Sequence, residues 1–281
     1  MQIIEQHRMF GGTQFIIDHD APATGSTMRL GLYLPPGSGP FPVLTYLSGL
    51  TSTHENVIIK SGFQGWAAKA GLAVVTPDTS PRGQALDGTD IPDHPEWFIG
   101  QGAGFYVDAT EAPWAPYFSM ERYICNDVPA LLAQGFADQI DCRRMGMTGH
   151  SMGGHGALTL AMRHPDQFQS LSAFAPIAAP SITEWGRLQF SHYLGDDEAI
   201  WRDHDACHLL QTRGWKGDLL VDQGEQDEFL ETHLRPDLLQ QAAVSAGIQL
   251  DLRMQPGYGH SYYFVASFIE DHIRWHRTRL G

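Results

Sequence analysis

The chain has 281 residues, with 18 Lys plus Arg against 32 Asp plus Glu and a formal charge of −14. That length gives room for a sizeable buried core, and so acidic a surface argues against nucleic acid or an anionic membrane as partner. Three widely spaced cysteines offer no disulfide framework and no paired-cysteine metal site, which suits a reduced, cytoplasmic setting. The N-terminal stretch holds no signal-peptide core, and no apolar run reaches the roughly 18 residues that would span a membrane.

Taken in order, residues 1–34 read as a β-hairpin or meander, with apolar runs at 14–17 and 28–34. Residues 35–40 form a Pro/Gly turn, and 43–47 reads as an interior strand ending at Ser48-Gly49-Leu50. A helix is expected over 65–70 and a strand over 72–77. Residues 78–116 are rich in Gly, Pro, Asp and Trp and lack periodicity; an irregular stretch that long inside a compact domain is usually functional. The spacing of Tyr123, Ile124, Val128, Leu131 and Leu132 predicts a helix over 120–134. A buried strand over 143–148, a helix over 157–162 and a strand over 171–175 follow. Residues 178–216 read as a second irregular, partly helical insertion carrying Trp185, Trp201 and Trp215. The chain closes with a strand over 219–222, a helix over 238–246, a strand over 250–254 and a helix over 264–278. Strands alternating with helices predict an α/β fold whose mostly parallel sheet is flanked by helices on both faces. No repeat and no linker interrupts it, so a single domain over 1–281 is expected.

Gly149-His150-Ser151-Met152-Gly153 lies between the strand over 143–148 and the helix over 157–162. A serine between two glycines at a strand-to-helix junction is the nucleophile-elbow arrangement of the α/β-hydrolase fold. The turn is so tight that Gly149 and Gly153 tolerate no side chain, and Ser151 takes a strained backbone. The amides of the helix that follows face any negative charge formed there. An incidental serine in a Gly-rich turn would need neither the strand before nor the helix after.

A serine hydroxyl needs a base, usually a histidine held by a carboxylate, and in this fold acid and histidine follow the serine in the chain. His155 and His164 lie on the helix after Ser151, His204 and His208 in a charged surface helix, and His272 and His276 in the closing helix. His260, in the loop between the last strand and the last helix, is the base. Asp227, in the loop after the strand over 219–222, is the preferred acid, with Asp222 and Glu228 as alternatives. The oxyanion needs two preorganised amides: one from Met152, after the nucleophile, the other from Leu50. Asp203-His204-Asp205 with His208, and Asp18-His19-Asp20, read as solvated charged faces rather than metal sites. Gly100 to Gly104 lacks the strand that a dinucleotide loop requires. Neither cofactor nor metal is expected.

Eight stretches of the chain together carry a family likeness. Leu47-Ser48-Gly49-Leu50-Thr51, Lys60-Ser61-Gly62, Asp78-Thr79-Ser80-Pro81-Arg82-Gly83 and the stretch from Gly102 to Thr110 are four of its marks. Gly149 to Ala157, Ser172 to Ile177, Asp222-Gln223-Gly224 with Asp227, and His260-Ser261-Tyr262-Tyr263-Phe264 complete the set. Over residues 5–278 the chain resembles the S-formylglutathione hydrolases, also called esterase D. The resemblance implies a Ser151, Asp227, His260 triad and an oxyanion hole at Leu50 and Met152. It also implies cofactor-free hydrolysis of S-formylglutathione to glutathione and formate in formaldehyde detoxification, by a homodimer. Three places depart from the family pattern: Ser52 stands where a cysteine is usual, Gly259 where an acidic residue is usual, and Ala178-Ala179 where Cys-Asn is more typical. Competing readings are a general carboxylesterase for short acyl esters, transfer to an acceptor other than water as in mycolyltransferases, and a non-catalytic binding protein, whose mark would be a broken triad.

Overall fold

A computed structural model describes residues 1–281. Three antiparallel strands open the chain, β1 (Gln2–Met9), β2 (Gly12–Ala21) and β3 (Ser26–Leu34). Then come β4 (Phe41–Leu47), α1 (His54–Lys60), α2 (Phe63–Ala70) and β5 (Ala73–Pro77). After the long irregular segment follow α3 (Met120–Arg122), a π-helical turn (Tyr123–Asp127) and α4 (Val128–Gly135). Next are β6 (Ile140–Gly149), α5 (Met152–Arg163) and β7 (Phe168–Phe174). The second insertion resolves into α6 (Glu184–Leu194), α7 (Glu198–Arg202) and α8 (Ala206–Thr212). The chain ends with β8 (Leu219–Gly224), α9 (Pro236–Ala246), β9 (Leu250–Gln255) and α10 (Tyr262–Leu280).

All nine strands form one sheet in the order β1-β2-β3-β5-β4-β6-β7-β8-β9. The meander and its junction with β5 are antiparallel, and every pair from β5 to β9 is parallel. Interior strands of a parallel sheet are covered on both faces and so read as continuous apolar runs; β5 is buried at every position. Packing joins 71 buried apolar residues into one contiguous core. From Met152 to Met162 every residue of α5 is buried, so the helix behind Ser151 is a core element.

The strand order reverses beside β4, the kind of place where open α/β sheets bind ligands. Leu47 pairs with Gly149 at the ends of β4 and β6, so the loops leaving these two strands emerge side by side.

The differences from expectation are local. The sequence reading has no helix before 65, yet α1 forms over 54–60. Its N-terminus is set by a capping box in which the Thr53 side chain accepts from Glu55 N–H and the Asn56 side chain accepts from Thr53 N–H. In the 120–134 helix, the π turn brings Asp127 to accept from Ala23 N–H at 2.9 Å, tying the helix to the meander. The faces expected to be solvated around His204 and His19 are so only in part: Asp203 and Asp20 are exposed, but the histidines between the acids are not. His204 is buried, and buried Asp205 caps α8 through His208 N–H and accepts from Ser181 Oγ at 2.6 Å. His19 is buried against the Tyr123 ring.

Candidate active site

The turn after β6 is as tight as the motif requires. A Cβ on Gly149 would stand 2.2 Å from Gly153 O, and one on Gly153 would stand 2.0 Å from Leu47 O. Ser151 has φ 59° and ψ −120°, a conformation that costs an ordinary residue about 1–3 kcal/mol. Its N–H donates to Phe174 O at 3.0 Å and its carbonyl accepts from His155 N–H at 3.0 Å, which anchors the turn to β7 and α5.

Ser151 Oγ lies 2.8 Å from His260 Nε2, and His260 Nδ1 lies 2.6 Å from Asp227 Oδ2. The Asp227 carboxylate is buried and also accepts from Phe229 N–H at 2.9 Å and Gln223 Nε2 at 3.2 Å. The imidazole packs against the Phe229 ring, T-shaped at 5.1 Å, and against the His150 ring at 4.5 Å. Hydroxyl, imidazole and carboxylate in one hydrogen-bonded line can move the serine proton to histidine while the carboxylate fixes the tautomer and stabilises the cation. The two alternative acids lie elsewhere: Glu228 is exposed, and Asp222 is buried within β8.

Met152 is the first residue of α5, where N–H groups have no partner within the helix. Leu50 lines the pocket in the loop after β4. Gly49 packs so closely that a Cβ there would be 3.1 Å from Ser151 Cβ. This loop is braced by the irregular 78–116 segment, a role with no local signal in the sequence. Tyr106 Oη donates to Ser48 O at 2.9 Å, Thr79 Oγ1 to Ser52 O at 2.6 Å, and Arg82 to Ser52 O at 3.0 Å. Thr51, held at φ 62°, donates its N–H to Gly102 O at 2.9 Å.

The line opens into a pocket of about 200 Å³ lined by Gly49, Leu50, Ser52, Asn56, Ile177, Trp185, Phe229, His233 and Leu234, with Trp97 and Tyr262. Trp185 stacks on His233 at 3.7 Å and on Phe98 at 5.5 Å, so its indole is held in place. Of the three departures from the family pattern, Ser52 lines this pocket; buried Ala178 and Ala179 do not. None of the three cysteines lines it either, and burial pushes all three thiols up.

A second Ser-His-Asp set lies beneath the first. Ser172 Oγ is 2.8 Å from His272 Nδ1, and His272 Nε2 is 2.9 Å from Asp222 Oδ2. Ser172 also meets His276 Nε2 at 2.8 Å, while Arg253 and Gln255 donate to Asp222. Burial pushes the Asp222 carboxyl up, but hydrogen bonds from His272 and Arg253 outweigh it and hold it below its ordinary value. Ser172, Asp222, His272 and His276 have no exposed surface. No acyl donor reaches them, so this set joins β7, β8, β9 and α10 as a satisfied buried network.

Comparison with known proteins agrees with the fold. A family described as putative esterase matches residues 21–275. An S-formylglutathione hydrolase of Paracoccus denitrificans (strain Pd 1222) is 51% identical over 282 residues, covering 100% of this chain and 98% of that protein. One from Mus musculus is 46% identical over 282 residues, covering 99% of this chain and 98% of its own. The solved structure of an S-formylglutathione hydrolase from Agrobacterium tumefaciens superposes with a TM-score of 0.96 at 46% identity, covering 100% of both chains.

Proposed function

The chain belongs to the S-formylglutathione hydrolase family, and on that premise we propose that it hydrolyses S-formylglutathione to glutathione and formate with Ser151 as nucleophile, His260 as base and Asp227 as its partner. The observation that carries this reading is the unbroken line from Asp227 through His260 to Ser151 at the floor of a pocket. Ser151 Oγ attacks the formyl carbon as His260 Nε2 takes its proton. The carbonyl oxygen becomes an oxyanion between the N–H groups of Leu50 and Met152. The C–S bond then breaks with its electron pair going to sulfur, and His260 returns the proton to it. A thiol with a pKa of about 8.5 leaves more readily than an alkoxide, so oxyanion stabilisation carries more of the barrier than general-acid help does. Water, deprotonated by His260, attacks the formyl-serine and releases formate. Every step uses side chains and backbone of this chain.

We further assign residues 1–281 to a single domain, active as a homodimer on a small-molecule substrate in the cytoplasm, without nucleic acid, in formaldehyde detoxification. The family likeness supports the assembly and the pathway, and the charge of −14 argues against polyanions.

The test is kcat/KM for S-formylglutathione beside p-nitrophenyl acetate, butyrate and octanoate on one preparation. A formyl group needs almost no acyl pocket, and the immobilised Trp185 bounds a small one. The thioester should therefore be the best substrate, and the esters should lose rate as the acyl chain lengthens. Rates that rise with chain length would identify a lipase-like esterase instead.

A further inference from the structure

His150, the residue before the nucleophile, takes no part in the steps above, yet its ring sits at the reaction centre. It lines the pocket, lies 4.5 Å from the His260 ring and 5.6 Å from the Tyr262 ring, and is buried. Its Nε2 is sealed in the interior with no hydrogen-bond partner. Its Nδ1 is on the other side, toward the oxyanion loop. A Cβ built on Gly49 would be 3.6 Å from this nitrogen and 3.1 Å from Ser151 Cβ.

Burial, with the His260 ring beside it, outweighs the opposing pull of the His260 backbone and pushes the His150 imidazole well below the ordinary histidine value, so it is neutral at working pH and carries one N–H. A buried N–H without an acceptor costs free energy, which assigns that hydrogen to Nδ1, the nitrogen facing the pocket. The leaving atom of the substrate must lie against His260 Nε2, which returns its proton. His150 adjoins both that imidazole and Gly49, so it flanks the same position.

We propose that His150 is a further catalytic residue, whose Nδ1–H donates a hydrogen bond to the sulfur as the C–S bond breaks and so favours thioesters over oxygen esters. The inference rests on the acyl-transfer reading of Ser151. The bond pair passes to sulfur, the proton that neutralises it comes from His260, and His150 keeps its own. A thiolate concentrates the new charge on one atom, whereas p-nitrophenolate spreads it over a ring, so the donor matters more for the thioester.

The experiment compares the thioester-to-ester ratio of kcat/KM, using S-formylglutathione, S-acetyl-N-acetylcysteamine and p-nitrophenyl acetate. Active sites are counted by the p-nitrophenol burst. His150→Phe keeps a planar ring and removes the donor; it should lower the ratio by roughly 10- to 100-fold, the worth of a hydrogen bond to a charged group. His150→Asn, which keeps a donor, should recover most of it. If His150→Phe does not fold, His150→Met carries the same test. A ratio within about threefold of the starting enzyme, with thioester and ester falling together, would overturn the proposal. Failure of the unmutated enzyme on S-formylglutathione would instead remove the substrate assignment, while the N-acetylcysteamine ratio still judges His150.

Discussion

Ser151→Ala should lose roughly 10⁴- to 10⁶-fold in kcat while melting within a few degrees of the unmutated protein. The hydroxyl makes one hydrogen bond, to His260 Nε2, and removing it leaves no buried charge. Both alanine and serine carry a Cβ through the same φ of 59°, so the strain of the turn is unchanged. The Phe174 and His155 backbone bonds that hold the turn do not depend on the side chain. Chemistry and stability should thus separate cleanly. Hydrolysis of p-nitrophenyl acetate and a thermal melt followed by circular dichroism check both halves. Activity within tenfold of the starting enzyme would move the nucleophile elsewhere.

The two buried aspartates should fail in opposite ways. Asp227→Asn keeps the shape of the side chain but presents the wrong group to His260 Nδ1, 2.6 Å away, and should cost roughly 10⁴-fold in kcat with little change in melting temperature. Asp222→Asn removes a fully buried charge that faces buried His272 and the partly exposed Arg253. Breaking a buried pair on one side costs about 3–5 kcal/mol, so this variant should unfold at much lower temperature while each folded molecule keeps near-normal activity. Exposed Glu228→Gln should change neither. Rates per active site, measured below the melting range, decide the matter. If Asp222→Asn proves the worse catalyst per folded molecule, the acid of the triad has been misassigned.

The parts legible in the sequence were those set by short-range chemistry or by chain order. Gly149 and Gly153 are fixed by backbone collisions within the turn itself, so the pattern around Ser151 carries its own geometry. Asp227 and His260 follow from where loops lie relative to the ends of β8 and β9. What was illegible depends on contacts between distant parts of the chain. Tyr106 reaches Ser48 across 58 positions and Arg82 reaches Ser52 across 30, with no periodicity to announce either. His204 and Asp205 look like a charged surface because what covers them, Phe190 over His204 and Ser181 on Asp205, lies beyond the reach of any local pattern. Likewise, Asp222 looks as good an acid as Asp227 until Arg253 and His272 are seen to occupy it.

With two Ser-His-Asp sets in one chain, the identity of the acylated serine decides which of them carries the chemistry. A fluorophosphonate transfers its phosphonyl group to an activated serine oxygen with loss of fluoride, and peptide mass mapping locates the new bond. One phosphonyl group per chain is expected, on Ser151, appearing in step with loss of esterase activity and absent from Ser151→Ala. Label on Ser172, or full inactivation with Ser151 unmodified, would contradict it.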